Sequence, residues 1–274
     1  MTKGYLIFAE NTEHVDYVSI AEINAALIRR YSDASICLVT NENVASKQFD
    51  DVIVMDSSAP NKRSVNINGK RELVPYYNSN RASVYNISPY DQTIMVDADY
   101  FLYSDKLEQC WDSNQSSLLM SKNATTLLGG SLLPGDVMLE DKTIPMYWAT
   151  CVYFNRSRFC EQFFSLVEHV AQNYVYYFKL YNVPANYYRN DYAYSIALHM
   201  YNDFQILDNN KLPGGALLTS YFNDQVINIH KTGMTILSQH CNTYLPVVTS
   251  DTNIHVMNKQ SLMTHIDKLR ELYV

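Results

Sequence analysis

Short apolar runs alternate with helical periods over the first hundred residues of the chain. A strand that is buried on both faces carries mostly apolar side chains, so such runs predict strands. They fall at 5–9, 36–40, 52–55 and 94–96. Between them, apolar residues recur at a helical spacing over 15–31, and a shorter helical segment over 78–87 ends before Pro89. Residues 57–75 are rich in Ser, Asn, Lys and Pro, and this composition predicts a mobile loop.

The second half of the chain mixes strand and helix signals. Glycine and proline interrupt residues 121–146, which predicts loops or short strands there. Apolar runs predict strands at 147–154 and 226–229. Apolar residues at a helical spacing predict a helix at 158–181. Residues 191–200 are expected to form a further helix and residues 260–272 a surface helix.

The alternation of strands and helices predicts an α/β fold with a mostly parallel central sheet flanked by helices. The chain has 274 residues, a length that suits one large domain or two small ones. It contains no internal repeat and no linker-like segment, so we expect a single domain over 1–274.

The run 94–96 leads directly into two carboxylates, Asp97 and Asp99. Because side chains alternate along an extended chain, both carboxylates face the same way. Neighbouring carboxylates repel each other unless positive charge lies between them. Mg²⁺ and Mn²⁺ accept such oxygen ligands and share them with substrate phosphates. Since ligands bind at the carboxyl ends of parallel strands, the pattern predicts a site where a divalent metal holds a diphosphate.

The composition limits the cellular location and the binding partners that we expect for the protein. The formal net charge of −7 and the pI of about 5.4 argue against a broadly basic nucleic-acid surface. The five cysteines form no Cys-x-x-Cys pair, so neither a disulfide framework nor a zinc site is indicated. A reducing, cytoplasmic location is the simplest interpretation. No apolar run approaches the ~18 residues of a membrane-spanning helix, and the apolar run 5–9 is too short for a signal peptide.

The segment 81–99 resembles the GT-A glycosyltransferases, and among them the glycogenin and bacterial galactosyltransferase-like group. In that group a helix, a turn of the type Ser88-Pro89-Tyr90-Asp91 and an apolar strand precede an Asp-x-Asp metal motif. Further segments resemble the family in the same order along the chain: 9–11 with Tyr17, 148–156, 190–198 and 229–233. The resemblance implies a single GT-A-type domain with a nucleotide-binding half at 1–100, an acceptor and sugar half at 101–240 and an extension at 241–274.

The resemblance also implies roles for individual residues. The metal, Mn²⁺ or Mg²⁺, is expected on Asp97, Asp99 and His230, and Asp191 is expected to face the reacting sugar. A nucleotide-sugar donor such as a UDP-sugar is expected to contact Ala9, Glu10, Tyr17, Arg81, Lys231 and Gly233. The implied activity is a metal-dependent transfer of a sugar to a hydroxyl acceptor, with a retaining stereochemistry favoured.

Two other interpretations of the acid pair stay open. A nucleotidyltransferase also uses a strand-borne carboxylate pair, although the loop that begins at Glu10 lacks the glycine-rich character of an activation loop. A non-catalytic sugar-binding module on a transferase fold is the second. The acceptor is open among protein, glycan, lipid and modified nucleic acid. Stable membrane insertion is not expected, and formation of a homo-oligomer is left open.

Overall fold

The computed structural model describes residues 1–56, 61–67, 70–77, 79–112, 116–122, 124–130, 144–183, 188–203, 211–240 and 243–274. The strands are β1 (Lys3–Phe8), β2 (Ser35–Thr40), β3 (Asp51–Val54), β4 (Asn61–Ile67), β5 (Lys70–Tyr76), β6 (Gln92–Asp97), β7 (Tyr100–Phe101), β8 (Leu118–Ser121), β9 (Ala124–Thr126), β10 (Trp148–Asn155), β11 (Leu217–Thr219), β12 (Gln225–His230), β13 (Gly233–His240), β14 (Thr243–Ser250) and β15 (Ile254–His255). The α-helices are α1 (Tyr17–Ile28), α2 (Val84–Ile87), α3 (Arg158–Gln172), α4 (Tyr174–Leu180), α5 (Asn190–Tyr201), α6 (Lys259–Met263) and α7 (Ile266–Tyr273), and Ser79–Ser83 and Lys106–Cys110 are 3-10 helices.

The central sheet has six strands in the order β3-β2-β1-β6-β10-β8. The first four are parallel to one another, and β10 runs antiparallel to both of its neighbours. The inner strands are almost entirely buried because apolar residues occupy both of their faces. Helices pack around the sheet, so the predicted α/β class with a mostly parallel central sheet is confirmed.

Helix α1 follows β1 and packs between strand β2 and the C-terminal helix α7. Its N-terminus is capped by Asp16, whose carboxylate accepts a hydrogen bond of 2.9 Å from the amide of Ser19. Most of its side chains are buried, since both the sheet and α7 cover it. The helix therefore has a fixed position behind the carboxyl ends of β1 and β6.

Within the predicted mobile loop 57–75, residues 61–67 and 70–75 are strands instead, and residues 57–60 and 68–69 lie outside the described residues. Strands β4 and β5 form an antiparallel hairpin in which Asn61 pairs with Tyr76 and Ile67 with Lys70. The polar composition concealed a short alternation of polar and apolar residues, Ser64-Val65-Asn66-Ile67, which is the period of a strand. The hairpin places the ring of Tyr76 beside that of Tyr17 in α1.

The second half contains more strand than the apolar runs indicated. Strands β12, β13 and β14 form an antiparallel three-stranded sheet, of which only the first strand was predicted. A separate four-stranded sheet has the order β7-β15-β11-β9. The predicted helix 158–181 is divided at Asn173 into α3 and α4, and the predicted helix 260–272 is divided into α6 and α7. Within 121–146, residues 131–143 lie outside the described residues.

Within the described parts of the chain, no helix is both long enough and apolar enough to cross a lipid bilayer. Four of the cysteines, Cys37, Cys110, Cys151 and Cys160, are buried free thiols. Burial raises the pKa of the Cys37 thiol to about 12. These cysteines thus pack as small apolar residues.

Candidate functional site

The two aspartates stand where the sheet ends. Asp97 is the last residue of β6 and pairs with Phe8, the last residue of β1. Asn24 of α1 is fully buried and holds the backbone that follows: its amide nitrogen donates to the carbonyl of Tyr100 at 2.8 Å and to that of Asp97 at 3.3 Å. Its side-chain oxygen accepts from the amide of Leu102 at 3.2 Å. The backbone that carries the acid pair is therefore fixed from the helix side.

A histidine from the end of the chain completes an acid cluster. Strand β15 pairs with β7 directly after Asp99, so that His255 lies opposite Tyr100. The amide of Val256 donates to the carbonyl of Asp99 at 3.0 Å. Nε2 of His255 lies 3.4 Å from Oδ1 of Asp99 and 3.9 Å from Oδ2 of Asp97. The imidazole thus faces one oxygen of each carboxylate.

The other oxygen of each carboxylate is paired with a basic side chain. The guanidinium of Arg81 contacts Oδ1 of Asp97, and the ammonium of Lys259 contacts Oδ2 of Asp99. Burial raises the pKa of Asp97; Arg81 and His255 lower it, Asp99 raises it, and the net direction is upward. Burial lowers the pKa of Arg81, but Asp97 outweighs this effect, and its net direction is also upward. Each carboxylate of the cluster therefore has a basic partner, and burial is the main reason that the pKa of Asp97 is raised.

These residues fit a hard divalent cation. One ligand atom from each of Asp97, Asp99 and His255 can be chosen so that all three lie within 4.8 Å of one another. Two carboxylate oxygens and an imidazole nitrogen are a donor set that Mn²⁺ accepts. The basic partners on the remaining oxygens fix the orientation of the two carboxylates, as second-sphere groups do in metal sites.

The structure places His230, the predicted third ligand, outside the cluster that contains Asp97 and Asp99. That residue ends β12, its Nε2 lies 2.6 Å from Oγ1 of Thr235, and its carbonyl accepts from the hydroxyl of Tyr273. Among the described residues the cluster with Asp97 and Asp99 includes His255 and not His230. Sequence analysis did not single out His255, because Asn-Ile-His occurs at both 228–230 and 253–255 and the pairing of β15 with β7 distinguishes the two segments.

Lys231 and Gly233, predicted on the diphosphate, lie in the same turn as His230. Lys231 is exposed, and its carbonyl accepts from Arg30, which follows the end of α1. This end is opposite to the one that carries Tyr17, and a helix of this length is about 18 Å long. A Cβ on Gly233 would meet the carbonyl oxygen of Thr249 at 1.9 Å. The close backbone approach that glycine permits thus serves the contact between β13 and β14.

An aromatic pocket adjoins the acid cluster. It is lined by Phe8, Glu10, Tyr17, Tyr76, Tyr77, Asn80 and Arg81. The rings of Tyr17 and Tyr76 are 6.0 Å apart between centroids and tilted by 60°. Of the residues predicted to contact the donor, Glu10, Tyr17 and Arg81 meet in this pocket. Ala9 is buried beside it, and its amide donates to the carbonyl of Val39 at 2.9 Å. Sequence analysis missed Tyr76, because it interpreted the hairpin that carries it as a loop.

Asp191, the predicted catalytic carboxylate, occupies the first turn of α5 and connects two elements. Its Oδ1 accepts a hydrogen bond of 2.9 Å from the amide of Ala149 in β10. Its Oδ2 accepts from Nη2 of Arg189 at 2.8 Å and from Nε at 3.2 Å. The negative charge of Asp191 also makes a small contribution to the upward shift of the Asp97 pKa. Asp191 therefore acts in the structure as an anchor for the segment 148–156.

No protein-family model matches the sequence, and no curated protein matches it. Similar solved structures include the galactosyltransferase LgtC in complex with donor and acceptor sugar analogues, at 12% identity and a TM-score of 0.47, covering 98% of this chain and 95% of that one. The glycosyltransferase GlyE of Streptococcus pneumoniae TIGR4 has 11% identity and a TM-score of 0.41, covering 73% of this chain and 43% of that one. The bifunctional glycosyltransferase WbbM has 13% identity and a TM-score of 0.38, covering 62% and 34%.

The chain thus spans less than half the length of GlyE and of WbbM.

Proposed function

We propose that the protein is a metal-dependent glycosyltransferase that moves a sugar from a nucleotide-sugar donor to a hydroxyl acceptor. One observation supports this above the others: Arg81 belongs to both parts of the site. It lines the aromatic pocket, and its guanidinium pairs with Asp97 of the acid cluster. A ligand that fits both parts has a flat aromatic group at one end and a metal-binding anion next to it. A nucleoside diphosphate has this layout.

At the base end, the pocket offers rings and polar groups. Tyr17 and Tyr76 present aromatic surface, and such surfaces stack with bases of any sequence. Glu10 and Asn80 line the same pocket and have the polar atoms needed to distinguish one base from another. Ala9 supplies backbone at the end of β1. We assign the nucleoside of the donor to this pocket.

At the diphosphate end, Asp97, Asp99 and His255 would hold the metal. A bound Mn²⁺ or Mg²⁺ supplies Lewis acidity that neutralises the charge on a departing nucleoside diphosphate. Arg81 keeps the Asp97 carboxylate turned toward the cluster, because its fork-shaped guanidinium fixes the position of the oxygen it contacts. Asn24 holds the backbone between the two acids in place.

Asp191 is assigned a role in orienting the donor sugar. Because both of its oxygens already accept hydrogen bonds, from Ala149 and from Arg189, it is a poor candidate for a general base that takes a proton from the acceptor. A carboxylate held in this way suits the steadying of positive charge that develops on the sugar. This supports a retaining transfer rather than an inverting one.

The test is the release of nucleoside diphosphate from a panel of nucleotide sugars with Mn²⁺, for the wild type and for Asp99→Asn. We expect slow turnover of one donor by the wild type and a loss of at least about 100-fold in the variant, since removal of a single preorganised charge-stabilising group has an effect of this size. Analysis of the product anomer by NMR then tests retention. Turnover that is unchanged in Asp99→Asn or by chelation of the metal would contradict the proposal. Release of pyrophosphate from a nucleoside triphosphate and a sugar phosphate would indicate a nucleotidyltransferase instead.

A further inference from the structure

The acid cluster carries its own counter-ions. Arg81 pairs with one oxygen of Asp97, and Lys259 pairs with one oxygen of Asp99. Both members of the second pair are buried: the side chains of Lys259 and Asp99 are each 6% exposed. Lys259 also donates to the carbonyl of Val256 at 2.8 Å. This lysine is thus fixed within the cluster, beside the carboxylate that faces His255.

The negative charges of Asp97 and Asp99 equal the positive charges of Arg81 and Lys259. The cluster is therefore neutral when its imidazole is neutral. A divalent cation that joins this group adds two positive charges at a place where solvent screens them poorly, because the groups are buried. The divalent cation would lie beside Asp99, the carboxylate that the ammonium of Lys259 contacts, so the two positive charges would repel each other. The balance is restored by an anion of about two charges, and a diphosphate brings that charge.

We propose that Lys259 is a resident counter-ion of Asp99 that makes metal binding conditional on the nucleoside diphosphate. The metal alone binds weakly because Lys259 already neutralises Asp99. The metal and the diphosphate bind together because their charges cancel. By linkage, each raises the affinity for the other by the same factor. This inference rests on the proposed function and specifies how its site is regulated.

The first experiment needs no variant. Free Mn²⁺ is measured by electron paramagnetic resonance during titration of the full chain, without nucleotide and with saturating UDP, GDP, ADP or CDP, corrected for Mn²⁺ bound to the nucleotide in solution. We expect the affinity for Mn²⁺ to rise at least tenfold with one of these diphosphates. Equal affinity with and without the diphosphate that binds would overturn the inference and leave the proposed function standing. If no diphosphate binds in the presence of Mn²⁺, the proposed function itself fails.

The second experiment removes the charge of Lys259. Lys259→Met keeps an unbranched stem of similar length, Lys259→Arg keeps the charge, and Lys268→Met, at an exposed lysine that contacts Asn228, is the matched control. We expect Lys259→Met to bind Mn²⁺ alone at least fivefold more tightly than the wild type, so that the effect of the diphosphate shrinks. Lys259→Arg and Lys268→Met are expected to retain the wild-type coupling.

The two variants at this position also separate charge from packing. If Lys259→Met folds and binds Mn²⁺ alone within twofold of the wild type, Lys259 has no role as counter-ion and the inference is wrong. If Lys259→Met does not fold, Lys259→Gln is titrated instead, with the same expectation. Melting curves with Mn²⁺ alone give an independent measurement, because a tighter site gains more stability at the same metal concentration.

Discussion

Two late segments of the chain carry the tripeptide Asn-Ile-His at the end of a strand, and the fold uses them for different purposes. In the turn between β12 and β13, His230 contacts Thr235 and Tyr273, and Lys231 is exposed. At β15 and the start of α6, His255 faces both aspartates and Lys259 is paired with one of them. Their local sequences are similar enough to be confused. The difference is that β15 pairs with β7, the strand that directly follows Asp99.

This difference shows that a short motif does not identify a metal ligand, because strand pairing decides which histidine lies beside the aspartates. A histidine becomes a candidate ligand only when the fold brings it to the acids, and here this depends on the pairing of two strands, β7 and β15, that are distant in the sequence. The turn at His230 serves instead to connect two strands against α7. The following predictions test this division, from the largest expected effect to the smallest.

The largest effect is expected when each of the two histidines is replaced separately. His255→Gln should lower Mn²⁺-dependent turnover of the donor by at least about 100-fold, since loss of a ligand costs more than loss of the second-sphere groups that cost 10- to 100-fold. His230→Gln is the matched control and should stay within about threefold of the wild type, because a group outside the acid cluster contributes nothing to the charge at the metal. Both are measured as kcat/KM at saturating Mn²⁺. The reverse ranking would restore His230 as the ligand.

A second prediction concerns the glycine in the His230 turn. Gly233→Ala should destabilise the protein by about 1–3 kcal/mol, because the added methyl group overlaps the backbone of Thr249 and forces β13 and β14 apart. Chemical denaturation measures the free energy of unfolding, and nucleotide titration of the folded protein should give an unchanged Kd. A variant of normal stability that binds the nucleoside diphosphate weakly would place Gly233 on the diphosphate after all.

The aromatic pocket provides a third, smaller effect. Tyr76→Ala should weaken binding of the nucleoside diphosphate about tenfold, within the ~1–3 kcal/mol range known for the loss of one stacked base contact. Tyr76→Phe keeps the ring and is expected to bind like the wild type. Isothermal titration with Mn²⁺ present measures both. Equal weakening by the two variants would assign the contribution to the hydroxyl instead of the ring.

The smallest effect lies at the opposite end of the acid-bearing strand. The amide and hydroxyl of Thr2 donate to Asp91, and they lower the pKa of its carboxyl. A carboxyl with a lowered folded pKa stabilises the fold above its ordinary pKa of about 3.9 and loses that contribution as pH falls through the folded value. Asp91→Asn should therefore lower Tm slightly at pH 7, and the difference should vanish in acid. A difference that persists at a pH well below the folded pKa of Asp91 would show that packing and not charge is responsible.

The parts of the fold that depend on local pattern were predictable. The buried strands β1, β2 and β6 are apolar on both faces, and the position of Asp97 and Asp99 at the end of β6 follows from the run that precedes them. The helices that begin at Tyr17 and Asn190 were also predicted, over 15–31 and 191–200. In these elements a short-range pattern of apolar residues both marks the element in the sequence and causes it to form.

The parts that depend on long-range pairing were not predictable from one sequence. Strand β15 is only two residues long, so no periodicity marks it, and its value to the site comes from pairing with β7. Lys259 offered no local sign of burial, because a lysine at the start of a helix is normally solvated. Tyr76 was hidden in a hairpin with a polar composition. Each of these contacts joins segments that are distant in the sequence.

The most direct test of the account is the coordination of Mn²⁺ bound together with the nucleoside diphosphate. Pulsed electron paramagnetic resonance detects the nitrogen of a directly bound imidazole. The account predicts a nitrogen coupling in the wild type and in His230→Gln, and its loss in His255→Gln. A coupling that persists in His255→Gln and disappears in His230→Gln would contradict the assignment of the site.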